Sequence, residues 1–207
     1  MSRCSRRAFL QAAAGVAASF TIAGTKSSGA VLGANETVRL GVAGIHGRGG
    51  DHIAEFSKVP GVRITHLIDP DRRLFAGRSK QVESLGGNRP QCVQDIRRAL
   101  DDKELDAIST ATCNHWHSLM TIWACQAGKD VYVEKPCSHN VFEGRKCVEA
   151  ARKYKRLVQH GTQQRSGEAW KTARDIAAGK FGKLLVIRGG SYRIRSSIGF
   201  AQPKDPP

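Results

Sequence analysis

The stretch Val38-Arg39-Leu40-Gly41-Val42-Ala43-Gly44-Ile45-His46-Gly47-Arg48-Gly49-Gly50 decides how this chain folds. Its first six residues are mostly apolar and predict a strand buried on both faces. The run then breaks into a glycine-rich segment, and a helix is expected over about residues 51–57. Strand, glycine-rich turn and helix, in that order, form the context of a dinucleotide-binding loop. Glycines permit the tight turn and close backbone approach, while the amides at the helix N-terminus face a pyrophosphate. The usual Gly-x-Gly-x-x-Gly would place glycines at 44, 46 and 49, and position 46 here is His. That departure either pushes the pyrophosphate outward or leaves Gly47 to take the second glycine's role. The candidate loop residues are Gly44, Ile45, His46, Gly47, Arg48 and Gly49.

A second strand, residues 62–68, runs into Asp69-Pro70-Asp71. Asp69 follows Gly49 by twenty residues, the spacing of a carboxylate that accepts hydrogen bonds from the adenosine ribose hydroxyls, which favours NAD. A helix N-cap is the plainer reading of the same residue. Arg72 and Arg73 come next and suit a 2′-phosphate, which keeps NADP open. Helix is then expected to about Val82, a loop at Gly86-Gly87-Asn88, and a helix capped by Asp95. Residues 106–111 form a buried strand that opens into Thr112-Cys113-Asn114-His115-Trp116-His117. A helix over 119–127, capped by Gly128, leads to the strand Asp130-Val131-Tyr132-Val133, which ends abruptly in Glu134-Lys135-Pro136. Proline cannot continue a central ladder, so this charged pair sits at a strand's C-terminal edge, where open α/β sheets bind ligands. Helix 141–155, strand 156–160, helix 169–178 and a last apolar run over 184–192 complete the pattern.

Strands alternating with helices predict an α/β fold, a doubly wound parallel sheet with helices on both faces. The expected division is 1–35 as signal and linker, 36–166 as the dinucleotide-binding domain, and 167–207 as a connecting helix and the first strand of a second α/β domain.

Near the N-terminus, Ser5-Arg6-Arg7-Ala8-Phe9-Leu10-Gln11 sets paired arginines before a weakly hydrophobic run ending near Ala23. It resembles a twin-arginine export signal, which implies passage through the twin-arginine translocase in the folded state and a periplasmic location. The run is too short and too poor in Leu and Ile for a stable membrane span. Ala23, Ala30 and Ala34 are alternative cleavage points.

The net charge is +15 with a pI near 10.0, which raises nucleic acid as a partner. The basic residues are nevertheless spread along the chain, and aromatics are only 6%. With no aromatic-interleaved basic stripe, nucleic-acid binding is not expected. Of six cysteines, Cys4 belongs to the signal, and the other five form no Cys-x-x-Cys pair. This argues against a disulfide framework or a zinc knuckle and for reduced, buried thiols. His115 and His117 would diverge on a strand and have no second pair to complete four ligands, so no metal site is expected.

Taken together, residues 36–195 resemble the N-terminal half of the Gfo/Idh/MocA family of nicotinamide-dependent oxidoreductases. The carrying residues are Gly44 to Gly49 after a strand, Asp69, the segment from Thr112 to His117, and above all Gly128-Lys129-Asp130-Val131-Tyr132-Val133-Glu134-Lys135-Pro136. Cys113 stands where the family usually has proline. The resemblance implies a Rossmann-like fold, an NAD or NADP cofactor, and hydride transfer to or from a secondary alcohol of a sugar, polyol or related compound. It places Lys135 beside the nicotinamide, hydrogen-bonded to the substrate hydroxyl and moving its proton, with a pKa lowered by partial desolvation. Glu134 would orient Lys135, and Asn114 and His117 would line the cofactor and substrate cleft. Thr110, Ala111 and Thr112 would offer backbone and hydroxyl contacts to the dinucleotide, with Gln163 and Arg165 as further candidates. Lys135, Glu134 and His117 are thus the catalytic candidates. Family members continue into a second α/β domain, so the chain is expected to be a truncated form, with homo-oligomers within the family's range. A non-catalytic dinucleotide-binding or interaction module is the alternative.

Overall fold

The computed structural model describes residues 37–190 together with 192 and 194. The export segment expected over 1–35 lies outside the described residues. Six strands form one sheet: β1 (Val38–Ala43), β2 (Val62–Ile68), β3 (Gln91–Val93), β4 (Ala107–Thr110), β5 (Asp130–Glu134) and β6 (Val158–Gly161). The order across the sheet is β3-β2-β1-β4-β5-β6, and every pairing is parallel. The doubly wound sheet expected from the alternation is therefore present, with its topological switch between β1 and β4.

Six helices connect the strands: α1 (Gly47–Phe56), α2 (Phe75–Gly86), α3 (Ile96–Leu100), α4 (His117–Gln126), α5 (Val141–Lys153) and α6 (Glu168–Ala177). Short 3-10 turns occupy Arg72–Leu74, Asn114–Trp116 and Gln163–Ser166. Side chains alternate across β1. Leu40 and Val42 join Ile53 of α1 and Val82 of α2 in one core. Ala43 faces the opposite core, with Ile96 and Leu100 of α3, Ala124 and Cys125 of α4 and Ala150 of α5. Helices thus cover both faces, and all six C-terminal strand ends emerge on one edge. Burial pushes the Cys125 thiol up to about 11, leaving it an unreactive apolar filler.

Three details differ from the sequence reading. Helix α1 begins at Gly47, four residues early, because the glycine-rich segment expected to precede it forms its first turn. Strand β3 is three residues at the sheet edge behind Pro90, too short to show an alternating pattern. Among the described residues of the strand expected at 184–192, none pairs with the sheet, and Leu185 and Ile187 are 80% and 77% exposed. Among the described residues no helix is long and apolar enough to cross a membrane.

Candidate cofactor and active site

The glycine loop is built by two tight contacts and one open face. Gly44 adopts a left-handed φ of 78°, and a Cβ there would lie 2.7 Å from the Thr112 backbone. A Cβ on Gly49 would overlap the Gly44 carbonyl oxygen. These two glycines therefore pack the loop on itself and against the end of β4. Gly47 is different, since nothing lies within 4 Å of the position its Cβ would take. The neighbouring His46 and Arg48 are exposed with it. His46 is extended, with φ −71° and ψ −165°, a conformation any residue adopts, so the backbone does not require glycine at this point. Past it, the first-turn amides of α1 lack intrahelical partners and carry the positive end of the helix dipole, as an anion site requires.

Asp69 ends β2 and is buried. Its Oδ2 accepts the Ile45 amide at 2.9 Å and its Oδ1 accepts the Asp71 amide at 2.9 Å. It therefore pins the glycine loop to the β2 edge. The helix-capping role falls to Asp71, which accepts the Arg73 amide. Asp69 also borders a pocket of about 420 Å³, walled by Gly44, Ile96, Thr112, Met120 and Trp123. An acidic rim, a glycine loop at one end and an apolar wall suit the adenosine half of a dinucleotide. Arg73 is already paired with Asp71 at 2.8 Å, while Arg72 is exposed.

At the β4 edge, the residues divide between holding the structure and facing the pocket. Thr110 is fully buried, its hydroxyl 3.3 Å from Thr112 Oγ1 and 3.6 Å from Met120 Sδ. The Ala111 amide donates to the Ala43 carbonyl at 2.8 Å. The contacts expected from Thr110 hydroxyl and Ala111 amide are thus spent inside the protein, and Thr112 is the member of the trio that lines the pocket. Cys113 has a φ of −66°, the angle a proline ring imposes, so the loop keeps its course without the ring. Asn114 follows, exposed. His117 was expected to line the cleft, yet it is only 1% exposed. Its Nδ1 is 2.6 Å from the Pro136 carbonyl and its Nε2 is 3.1 Å from the Thr112 carbonyl. It braces the β4 loop against the turn after β5, beneath the cleft.

At the β5 edge, Glu134 is buried and Lys135 is exposed, joined to Pro136 by a cis peptide. Glu134 holds the Lys135 backbone amide, which donates to Oε2 at 3.1 Å, and not the ammonium group. The partial desolvation expected for Lys135 is not supplied by the described residues. Glu134 Oε1 accepts from Arg48 Nε at 2.8 Å, from His52 Nε2 at 3.1 Å and from Gln163 Nε2. Burial alone would raise its carboxyl, but these donors outweigh it and hold the pKa at about 2. The carboxylate therefore joins α1, β5 and the turn after β6. Tyr132 Oη accepts from Gln163 Nε2 at 3.1 Å, which steadies the amide. Arg165 lies apart, its guanidinium 5.7 Å from the Trp170 ring centroid.

Sequence reasoning missed His52 and Ser109. Nδ1 of His52 is 2.7 Å from Ser109 Oγ, so the imidazole bridges β4 and β5 from within α1. The available signal was the four-residue spacing of Arg48 and His52, which puts both on one helix face.

Comparison with known proteins agrees with this geometry. The model of the Gfo/Idh/MocA oxidoreductase family, an NAD-binding Rossmann fold, matches residues 38–162. The chain is 30% identical over 155 residues to an inositol 2-dehydrogenase of Leifsonia xyli subsp. xyli, covering 73% of this chain and 44% of that protein. It is 34% identical over 157 residues to a glycosyl hydrolase family 109 protein of Solibacter usitatus, covering 69% and 35%. The chain thus spans less than half the length of these two relatives. In fold it is similar to myo-inositol 2-dehydrogenase from Lactobacillus plantarum, with TM-score 0.62 and 22% identity over 72% of this chain and 43% of that one. GenD2 from gentamicin A biosynthesis, solved in complex with NAD, also has TM-score 0.62 and 22% identity, over 70% and 40%. With the glycine loop, Asp69 and the Glu134-Lys135-Pro136 edge all inside the matched segment, this chain belongs to the Gfo/Idh/MocA oxidoreductase family and carries its NAD-binding Rossmann domain.

Proposed function

We propose that the protein transfers hydride between NAD and a secondary alcohol of a sugar, polyol or related compound. The observation that carries the reading is the placement of Lys135. It is exposed at the C-terminal end of β5, and its backbone is tied through Glu134 to α1, the helix that opens at the glycine loop. The names of the relatives support the substrate class, since inositol is a polyol and a glycosyl group is a sugar.

Bound NAD supplies the hydride acceptor or donor. The chain's own residues bind, orient and move a proton. First-turn amides of α1 hold the pyrophosphate, and Asp69 accepts hydrogen bonds from the ribose hydroxyls. Its negative charge also opposes a 2′-phosphate, which makes NAD the preferred form over NADP. Lys135 would hydrogen-bond the substrate hydroxyl and, as the neutral amine, take its proton as hydride leaves the same carbon. His117 positions the turn that presents Lys135.

Fluorescence titration of the chain with NADH and NADPH, followed by turnover assays on polyols and glycosides, tests this. NADH should bind more tightly, and Asp69→Ala should weaken it by about tenfold, the scale of a charged hydrogen bond. Lys135→Ala should leave NADH affinity within about twofold while abolishing turnover, because its contact belongs to the reacting atoms. Absence of NADH binding would overturn the proposal, and binding without turnover that Lys135→Ala does not alter would favour an interaction module.

We also propose that residues 1–35 direct export of the folded protein to the periplasm by the twin-arginine translocase. A reporter that must fold before transport, fused to these residues, should be exported. Export that survives Arg6→Lys combined with Arg7→Lys would refute the route.

A further inference from the structure

Ser109, His52 and Glu134 form a buried chain of hydrogen bonds whose order resembles a nucleophile triad. Ser109 is fully buried, His52 is 3% exposed and Glu134 is 4% exposed, so no substrate reaches the hydroxyl. For a neutral imidazole, the hydrogen-bond partners assign the proton positions. An ionised carboxylate only accepts, so His52 Nε2 carries the hydrogen toward Glu134 Oε1 at 3.1 Å. Its Nδ1 then accepts from the Ser109 hydroxyl at 2.7 Å. Burial pushes the imidazole below its ordinary pKa despite the neighbouring carboxylate, in keeping with this neutral tautomer. Edge-on packing fixes the ring plane, with Phe56 and Tyr132 centroids 5.8 and 5.4 Å away.

We propose that His52 is a positioning residue that sets the angle of α1 about its axis relative to the β5 edge. Two helix side chains one turn apart, Arg48 and His52, donate to the same oxygen of Glu134. That oxygen fixes how α1 is rotated. The rotation decides where the first-turn amides point, and the other oxygen of the same carboxylate holds the Lys135 amide. The cofactor end and the proposed chemical end of the site are therefore referred to one buried carboxylate, with Ser109 holding the imidazole in the required tautomer. What the positioned groups do rests on the NAD reading above; the positioning itself does not.

Two variants separate this role from simple packing. Both His52→Gln and His52→Asn lose the ring and its aromatic contacts. The Gln amide nitrogen replaces Nε2 and still reaches Glu134, whereas the shorter Asn replaces Nδ1 and does not. In ¹H–¹⁵N spectra of the full chain, the Lys135 amide should keep its shift in His52→Gln and move in His52→Asn. In parallel, NADH affinity should stay within about twofold for Gln and fall by about tenfold for Asn, the scale of a charged hydrogen bond left unmade. Equal behaviour of the two variants, in the amide spectrum or in NADH affinity, overturns the assignment. A parent protein that binds no NADH while the amide shifts still split would sink the cofactor reading and leave the positioning role standing.

Discussion

Glu134 shows how much of this site depends on a single ionised side chain. Its folded pKa of about 2 lies below the ordinary 4.5. A depressed carboxylate contributes stability that is fully present above the unfolded pKa and is lost as pH falls through the folded one. The gap corresponds to on the order of 3 kcal/mol, and the side chain is only 5% exposed, so solvent screens little of it. Glu134→Gln should therefore be less stable than the parent by that order at neutral pH. The difference should shrink steadily between about pH 4.5 and 2, as chemical denaturation at a series of pH values would show. A deficit that stays constant across that range would mean that shape, and not charge, is what the network needs. The Glu-Lys-Pro edge was legible from residues 130–136 alone, because an apolar strand that stops at charge and proline must stop where the sheet does. The use made of Glu134 was not legible. Its donors come from positions 48, 52 and 163, and no local pattern links residues that meet only after the sheet has formed.

At the scale of elements, α1 and its loop separate glycines that the fold needs from one that it does not. Gly49→Ala drives a methyl group into the Gly44 carbonyl and should cost about 3 kcal/mol or more, a backbone clash with no flexible partner to yield. Gly47→Ala meets open space in a helix's first turn and should stabilise by about 0.5–1 kcal/mol. If the pyrophosphate approaches that open face, the same methyl group obstructs it, and NADH affinity should fall while the urea midpoint rises. A rise in both would place the phosphates elsewhere on the loop. Helix α5 offers a simpler case. Lys155, just after its C-terminal end, holds a left-handed φ of 54° that favours glycine. Lys155→Gly should raise stability by about 0.5–1 kcal/mol in thermal melts. Strands β1, β2, β4 and β5 were legible because each carries a cluster of apolar or β-branched residues, and β6 from Leu157-Val158 between a helix and a glycine. The sequence reading placed the start of α1 too late because glycines at 47, 49 and 50 look like loop, and only the packing of Gly49 on Gly44 shows why a helix begins among them.

Across the whole molecule, burial is concentrated in the segment that matches the family. All the fully buried large side chains among the described residues lie between Val42 and Val133. Helix α6 buries none of its residues, and the chain from 178 to 190 is exposed throughout. A protease needs a stretch of backbone that can leave the fold cheaply, and a helix without buried contacts resists that little. Among the described residues, trypsin should therefore cut first at Lys171, Arg174, Lys180, Lys183 or Arg188, while the arginines and lysines of α2 and α5 survive. The resistant product should contain residues 37–166, the described part of the dinucleotide-binding domain expected over 36–166. It should also keep the parent's NADH affinity, since the loop, Asp69, Thr112, Glu134 and Lys135 all lie within it. Mass spectrometry of the first cleavage products, with NADH titration of the purified core, decides the matter. First cuts within α2 or α5, or a core that no longer binds NADH while the uncut chain does, would show that residues 167–190 belong to the same cooperative unit.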